Sequence, residues 1–355
     1  MIGKLMSFQY VQFFLNKLGR SRSKQKQSGF TLTELLVSII IASLIVVGLL
    51  SLVVELLTTD SREIARTETQ REMQMALDFI STDIREAVYV YDGDCLAVPT
   101  LENNCSGIFA GDGYVPIPQD SVPILAFWRL DPLPDVLKNQ CAASNANNPL
   151  VIGTQTVPCL QGQMYTLVVY HLTRNGDDDF WQGLARIQRY ELPQFDNGGQ
   201  PVSGYADPTD LTTFASWPED SNNDSVANGA PSLQGRVTTL VDFVDSRPMD
   251  EIPELQEGSS EDPEVRCPTN YVLTPSDTIL AAEGFADMRN FYACVLLPAQ
   301  LRDQQATGAF NQKVILFVRG NAKGKPGIDT VNEGFMPAIA TQVLNRGVRN
   351  KAPSQ

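Results

Sequence analysis

Histidine is all but missing: the chain of 355 residues holds one, His171. Any histidine-based nucleophilic triad would have to use it. It shares a face of an alternating apolar segment with Leu167 and Val169, the pattern of a packed core residue. No G-x-S-x-G, P-loop or H-E-x-x-H string occurs, so the sequence nominates no catalytic centre and no cofactor, and it does not read as an enzyme. The six cysteines (Cys95, Cys105, Cys141, Cys159, Cys267 and Cys294) include no C-x-x-C pair, which leaves no zinc-site spacing.

Positive charge is scarce as well. The formal net charge is −14, yet residues 1–29 hold Lys4, Lys17, Arg20, Arg22, Lys24 and Lys26 and no acidic residue. Without those six charges the remainder stands at −20 (−14 less six). So acidic a body excludes a nucleic-acid surface, which needs a clustered positive field. The short tail at Arg346, Arg349 and Lys351 does not supply one.

What is present is a run of twenty residues without a charge, Leu35 to Val54. As a helix rising about 1.5 Å per residue it covers roughly 30 Å, the hydrocarbon thickness of a bilayer. The basic residues ahead of it are expected to stay inside and everything after Val54 to lie outside. An even number of cysteines, all beyond the run, suits an oxidising exterior. Small residues at an ordinary signal cleavage site follow the apolar core; here Ser28 and Gly29 precede it.

The string Ser28-Gly29-Phe30-Thr31-Leu32-Thr33-Glu34-Leu35-Leu36 resembles the class III signal of type IV prepilins and type II secretion pseudopilins. That resemblance implies cleavage after Gly29 by a prepilin peptidase and N-methylation of Phe30. It places Glu34 at the fifth mature position, where the family carries its glutamate. An ionisable group in an apolar membrane helix is expensive and is kept for a partner; the new amine of Phe30, its own or a neighbour's, is the partner implied. The implied associates are the peptidase, other pilins or pseudopilins, an inner-membrane assembly platform, and lipid before assembly. The implied location is the inner membrane, crossed once with the N-terminus inside, and then a filament outside the cell.

Thr58 to about Val88 holds no Gly or Pro, and Met73, Leu77, Ile80, Ile84 and Val88 form a stripe at helical spacing. Glu68, Arg71, Glu72, Asp78, Asp83, Arg85 and Glu86 are placed on the opposite, solvated face. Beyond Asp92 the period becomes that of strands. These are expected at Ile124–Leu130, Met164–Leu172, Leu184–Leu192, Arg236–Val244, Phe291–Leu297, Lys313–Arg319 and Ala338–Leu344. The expected fold is α+β: a long N-terminal helix, membrane half plus amphipathic half, on an antiparallel sheet with long loops, as in pilins. The segments are a leader (1–29), a transmembrane or assembly helix (30–57), a stem (58–92), a β-rich body (93–344) and a tail (345–355).

Of the loops, 246–268 is dominated by acidic residues, and 194–235 contains Tyr205, Phe214 and Trp217, which would suit a filament-borne adhesin if exposed. Asn175 with Asp177, Asp178 and Asp179, and Asp220 with Asn222 and Asp224, have oxygen-ligand spacing for calcium. The second run lacks the Gly and Glu of an EF-hand, and such turns are common without metal. Cysteines near in sequence are expected to pair as Cys95–Cys105, Cys141–Cys159 and Cys267–Cys294, one of fifteen connectivities. The whole chain resembles PilW-like minor pilins. Asn175 to Arg186 and Arg319-Gly320-Asn321-Ala322 resemble pseudopilins of cyanobacterial hormogonium polysaccharide secretion. A minor pilin or pseudopilin supporting filament initiation, motility or export is the function implied. The processing expectation is checked by electrophoresis: Gly29→Val is expected to keep the leader and migrate as the larger precursor. Mature-sized protein from that variant would contradict cleavage at this bond.

Overall fold

The computed structural model describes residues 29–97, 107–109, 115–142, 148–176, 180–211, 214–218, 235–252, 267–286, 288–296 and 311–345. Residues 1–28, Cys105, and the calcium candidates Asp177, Asp179, Asp220 and Asp224 lie outside these. The chain divides into two units, residues 1–58 and 59–355. One helix, α1 (Leu32–Arg85), contributes to both.

In the first unit α1 is exposed on every side, and from Leu35 through Leu44 to Val54, between Glu34 and Glu55, it is apolar on every side. A helix with no polar face has no reason to sit in water, and this one is long and apolar enough to cross a membrane. Its few hydroxyls turn inward on the helix: Ser38 Oγ donates to the Glu34 carbonyl at 2.7 Å and Ser43 Oγ to that of Ile40 at 2.8 Å.

In the second unit α1 buries one stripe, in which Met73, Leu77, Ile80 and Ile84 are as the spacing predicts. Val88 does not extend it. The helix stops at Arg85, and β1 (Ala87–Val90) pairs antiparallel with β2 (Ser121–Pro132). The sequence Ala-Val-Tyr-Val suits a strand, and pairing overrides helical continuation toward residue 92.

Two antiparallel sheets, where one was expected, make up the body. The first has the order β1-β2-β5-β6-β7, with β5 (Gln163–Arg174), β6 (Ala185–Pro193) and β7 (Arg236–Val244). The second has the order β11-β10-β9-β8, from β8 (Tyr271–Thr274), β9 (Phe291–Leu296), β10 (Lys313–Val318) and β11 (Ile339–Leu344). A two-stranded ribbon of β3 (Val151–Ile152) and β4 (Gln155–Thr156) stands apart from both. All seven strands expected from the sequence are present; β1, β3, β4 and β8 are too short to show an alternation. One core joins α1 to both sheets, through Ile80, Phe127, Val168, Phe291 and Leu316 among others. At the seam the Gln312 side chain imitates a strand, accepting from Val90 N and donating to Val90 O, each at 2.8 Å.

Asp83 is the largest departure on the helix. Expected on the solvated face, it is 6% exposed. Arg129 Nη1 donates to its Oδ1, and Tyr170 OH and Arg189 Nε donate to its Oδ2, each at 2.6 Å. Glu191 bridges Arg189 and Arg236 beside it. Burial alone would raise the Glu191 carboxyl, but Arg236 and Arg189 hold it below its usual range. The helix is thus fixed to β2, β5 and β6 by a carboxylate shared between strands. Removing one member of such a buried network costs about 3–5 kcal/mol, since the others keep their charge.

The Trp128 face of the first sheet is covered by residues 205–211 and 214–217, within the stretch 194–235 that was expected to be loop. Tyr205 and Trp217 are buried and Phe214 packs against the core, so none of the three is an exposed adhesin aromatic. The indole of Trp128 lies 5.3 Å from that of Trp217 and donates to Tyr91 OH at 2.8 Å. Trp217 Nε1 donates to Ala206 O at 2.9 Å. Each polar end has a partner, which is what allows these rings inside. Tyr205 and Trp217 are drawn in by edge-to-face contact with Trp128, which has no periodic signature in the loop sequence.

His171 is fully buried on that face, edge-on to Phe109 and Tyr190. Burial lowers its pKa from 6.5 to about 3. The unfolded chain then binds a proton that the folded one refuses, so stability rises with pH between about 3 and 6.5 and is flat above. As the one histidine, it is the group expected to dominate between pH 6.5 and 5. The unfolding free energy from urea titration of the chain in detergent is expected to fall over that interval, with a slope that approaches about 1.4 kcal/mol per pH unit toward pH 5. His171→Leu is expected to flatten the slope; a wild-type slope in the variant would place the titrating group elsewhere.

Candidate functional site

The head of α1 brings together the three residues nominated for processing and assembly. Gly29 and Phe30 precede the helix in irregular backbone, and Phe30 is 76% exposed. The helix is started by Thr31: its carbonyl accepts from Leu35 N at 3.2 Å and its hydroxyl accepts from Glu34 N at 3.4 Å. Glu34 is therefore the third helical residue, in the first turn, where the positive end of the helix dipole favours a carboxylate. Thr-Leu-Thr-Glu has the spacing of a capping box. Sequence reasoning singled out the glutamate and missed the threonine, although that spacing was available. Chemically the site is a short irregular junction, an exposed aromatic and one carboxylate at the head of an apolar run.

The two strings that carry the narrower resemblance are structural in this protein. Asn175 Nδ2 donates to Gly183 O at 2.9 Å and to Asp242 Oδ1 at 2.7 Å. The amides of Gln182 and Gly183 both donate to Asp242 Oδ2 at 3.1 Å. A side chain at Gly183 would collide with the backbone of Phe243, which itself sits at φ 62°. The second string meets the same strand end: Asp245 N donates to Arg319 O at 2.9 Å and Asn321 N to Phe243 O at 2.8 Å. Gly320 lies against Met73 and Thr69 of α1. Arg247 and Arg319 flank the Phe335 ring at 4.5 and 5.7 Å. Asp242, whose carboxylate accepts from the first string, and Asp245, whose amide donates to the second, carried no signal in the sequence.

Of the calcium cluster, Asn175 alone is described, and its Oδ1 accepts from Arg186 Nη1. Among the described residues no three His, Cys, Asp or Glu gather as metal ligands. Disulfides join Cys141 to Cys159 and Cys267 to Cys294, and Cys95 is disulfide-bonded.

No curated protein and no solved structure matches the chain. Residues 24–50 match the family model described as the prokaryotic N-terminal methylation motif. The match contains Gly29, Phe30, Thr31 and Glu34 and the first sixteen of the twenty residues of the apolar run. The chain carries the type IV prepilin-type signature at residues 24–50.

Proposed function

We propose that the protein is a minor subunit of a type IV pilus or pilus-like secretion filament, in the manner of PilW-like minor pilins. It is made as an inner-membrane precursor with its N-terminus inside, cut by prepilin peptidase after Gly29 and methylated on Phe30. An inner-membrane platform then assembles it with other pilins. The observation that carries this reading is Glu34, a carboxylate in the first helical turn directly ahead of a twenty-residue run that is uncharged and exposed, within the matched motif. The size of the body favours a minor over a major subunit: 326 residues follow Gly29 (30 to 355), folded as two sheets. Filament initiation, motility and export, including polysaccharide export, are the roles proposed, with no catalytic step.

Glu34 has two roles to separate, charge pairing with an amine and support of its own helix end. Asp serves the helix end as well as Glu but reaches one methylene less, whereas Gln keeps the reach and loses the charge. With pairing as the main role, Glu34→Gln and Glu34→Ala are expected to insert and be cut normally yet be nearly absent from sheared filaments. Glu34→Asp is expected to fall between them and wild type. Wild-type recovery of Glu34→Gln in filaments would remove the charge from the assembly contact.

A further inference from the structure

The buried face of α1 is held by two unlike kinds of contact. From Met73 to Ile84 it sits in the large core shared with both sheets. One turn and more toward its N-terminus, the grip comes from the short segment between β10 and β11. Arg62 Nε donates to Gly327 O at 2.8 Å and Arg66 Nη2 to Glu333 O at 2.7 Å. Lys325 Nζ reaches Glu72 at 2.9 Å and Glu68 at 3.4 Å, and Arg62 pairs with Glu333 at 3.3 Å. The apolar part of this grip is Ala65, Ala322 and Ile328, a cluster separate from the main core.

These contacts differ from the core in what weakens them. The arginines hold backbone carbonyls, so they grip only while the segment keeps its own fold, with Ala322 N on Gly334 O, Ile328 N on Lys325 O and Gly334 N on Thr330 O. Lys325 is buried (7% exposed) against Glu72 (29%), while the outer partners are half in water, Arg62 at 47%, Glu333 at 37% and Glu68 at 60%. Such pairs are screened by salt, whereas apolar burial is not. Regions with few apolar contacts and exposed polar ones open locally before the whole fold does.

We propose that residues 322–334 are a strap that opens independently of the sheets and releases α1 from Arg62 to Glu72. Opening uncovers Ala65, buried against Ala322 and Ile328 when the strap is closed, and frees about three turns of helix, about 16 Å, for contact with another helix. That use in a filament rests on the pilin-like reading; the opening itself does not.

Thiol labelling of the full chain in detergent micelles tests it. No described cysteine is free, so Ala65→Cys under the strap and Ala76→Cys under the sheets, both alanines 3% exposed, each add one reporter. Ala65→Cys is expected to react with a bulky maleimide about tenfold faster than Ala76→Cys. Raising NaCl from about 50 mM to about 1 M, or adding Lys325→Met, is expected to speed only the first, by about fivefold. Equal rates at the two positions, or an Ala65→Cys rate indifferent to both salt and Lys325→Met, would overturn the strap. Hydrogen exchange of the unaltered chain excludes an effect of the cysteines. The amides of Ala322, Ile328 and Gly334 are expected to exchange together and ahead of those in β10, and exchange only in step with β10 would overturn it equally.

Discussion

From Leu35 to Val54 α1 has no polar face, and from Ala65 to Ile84 it has one buried face that contains a single carboxylate, Asp83. Much of the body is organised around that second condition. A carboxylate at this depth is tolerable only with donors on more than one side. Arg129 comes from β2, Tyr170 from β5 and Arg189 from β6, so three neighbouring strands are fixed to one helical turn. Desolvation and Asp83 together hold the Tyr170 hydroxyl well above its ordinary range, so it remains a donor. The strand order of the first sheet and the seat of the helix are therefore one arrangement.

The first condition carries the function. A rod with no polar side is stable only among lipid tails or other apolar rods. A carboxylate at its head then needs a positive partner, and cleavage at Gly29 would create one. The methylation motif, the apolar rod and Glu34 are three aspects of the same requirement. In the body the buried charges Asp83, Asp245, Arg247 and Lys325 have partners within the fold. Its distinctive strings, around Asn175 and Arg319, hold the two ends of the bend at Asp242 to Asp245.

Legibility in the sequence followed periodicity. The apolar run, the stripe at Met73, Leu77, Ile80 and Ile84, and the long strands repeat at 3.6 or 2 residues and could be placed within a few positions. Gly29, Phe30 and Glu34 were legible because they stand in fixed order ahead of the run. What escaped was non-periodic. Asp83 lies beside the stripe, and only strands far along the chain supply its partners. Tyr205 and Trp217 sit in a stretch of loop composition and are buried because Trp128 offers them a surface. The division into two sheets depends on side-chain pairing such as that of Gln312 with Val90, which no local pattern records.

The central claim is that the apolar rod enters its final environment with a new, modified amine at its head. Mass spectrometry of the N-terminal peptide from protein purified out of its native membranes measures this directly. The account predicts a peptide beginning at Phe30, heavier by one methyl group on its amine. A peptide that retains residues 1–29, or one that begins after Val54, would contradict it.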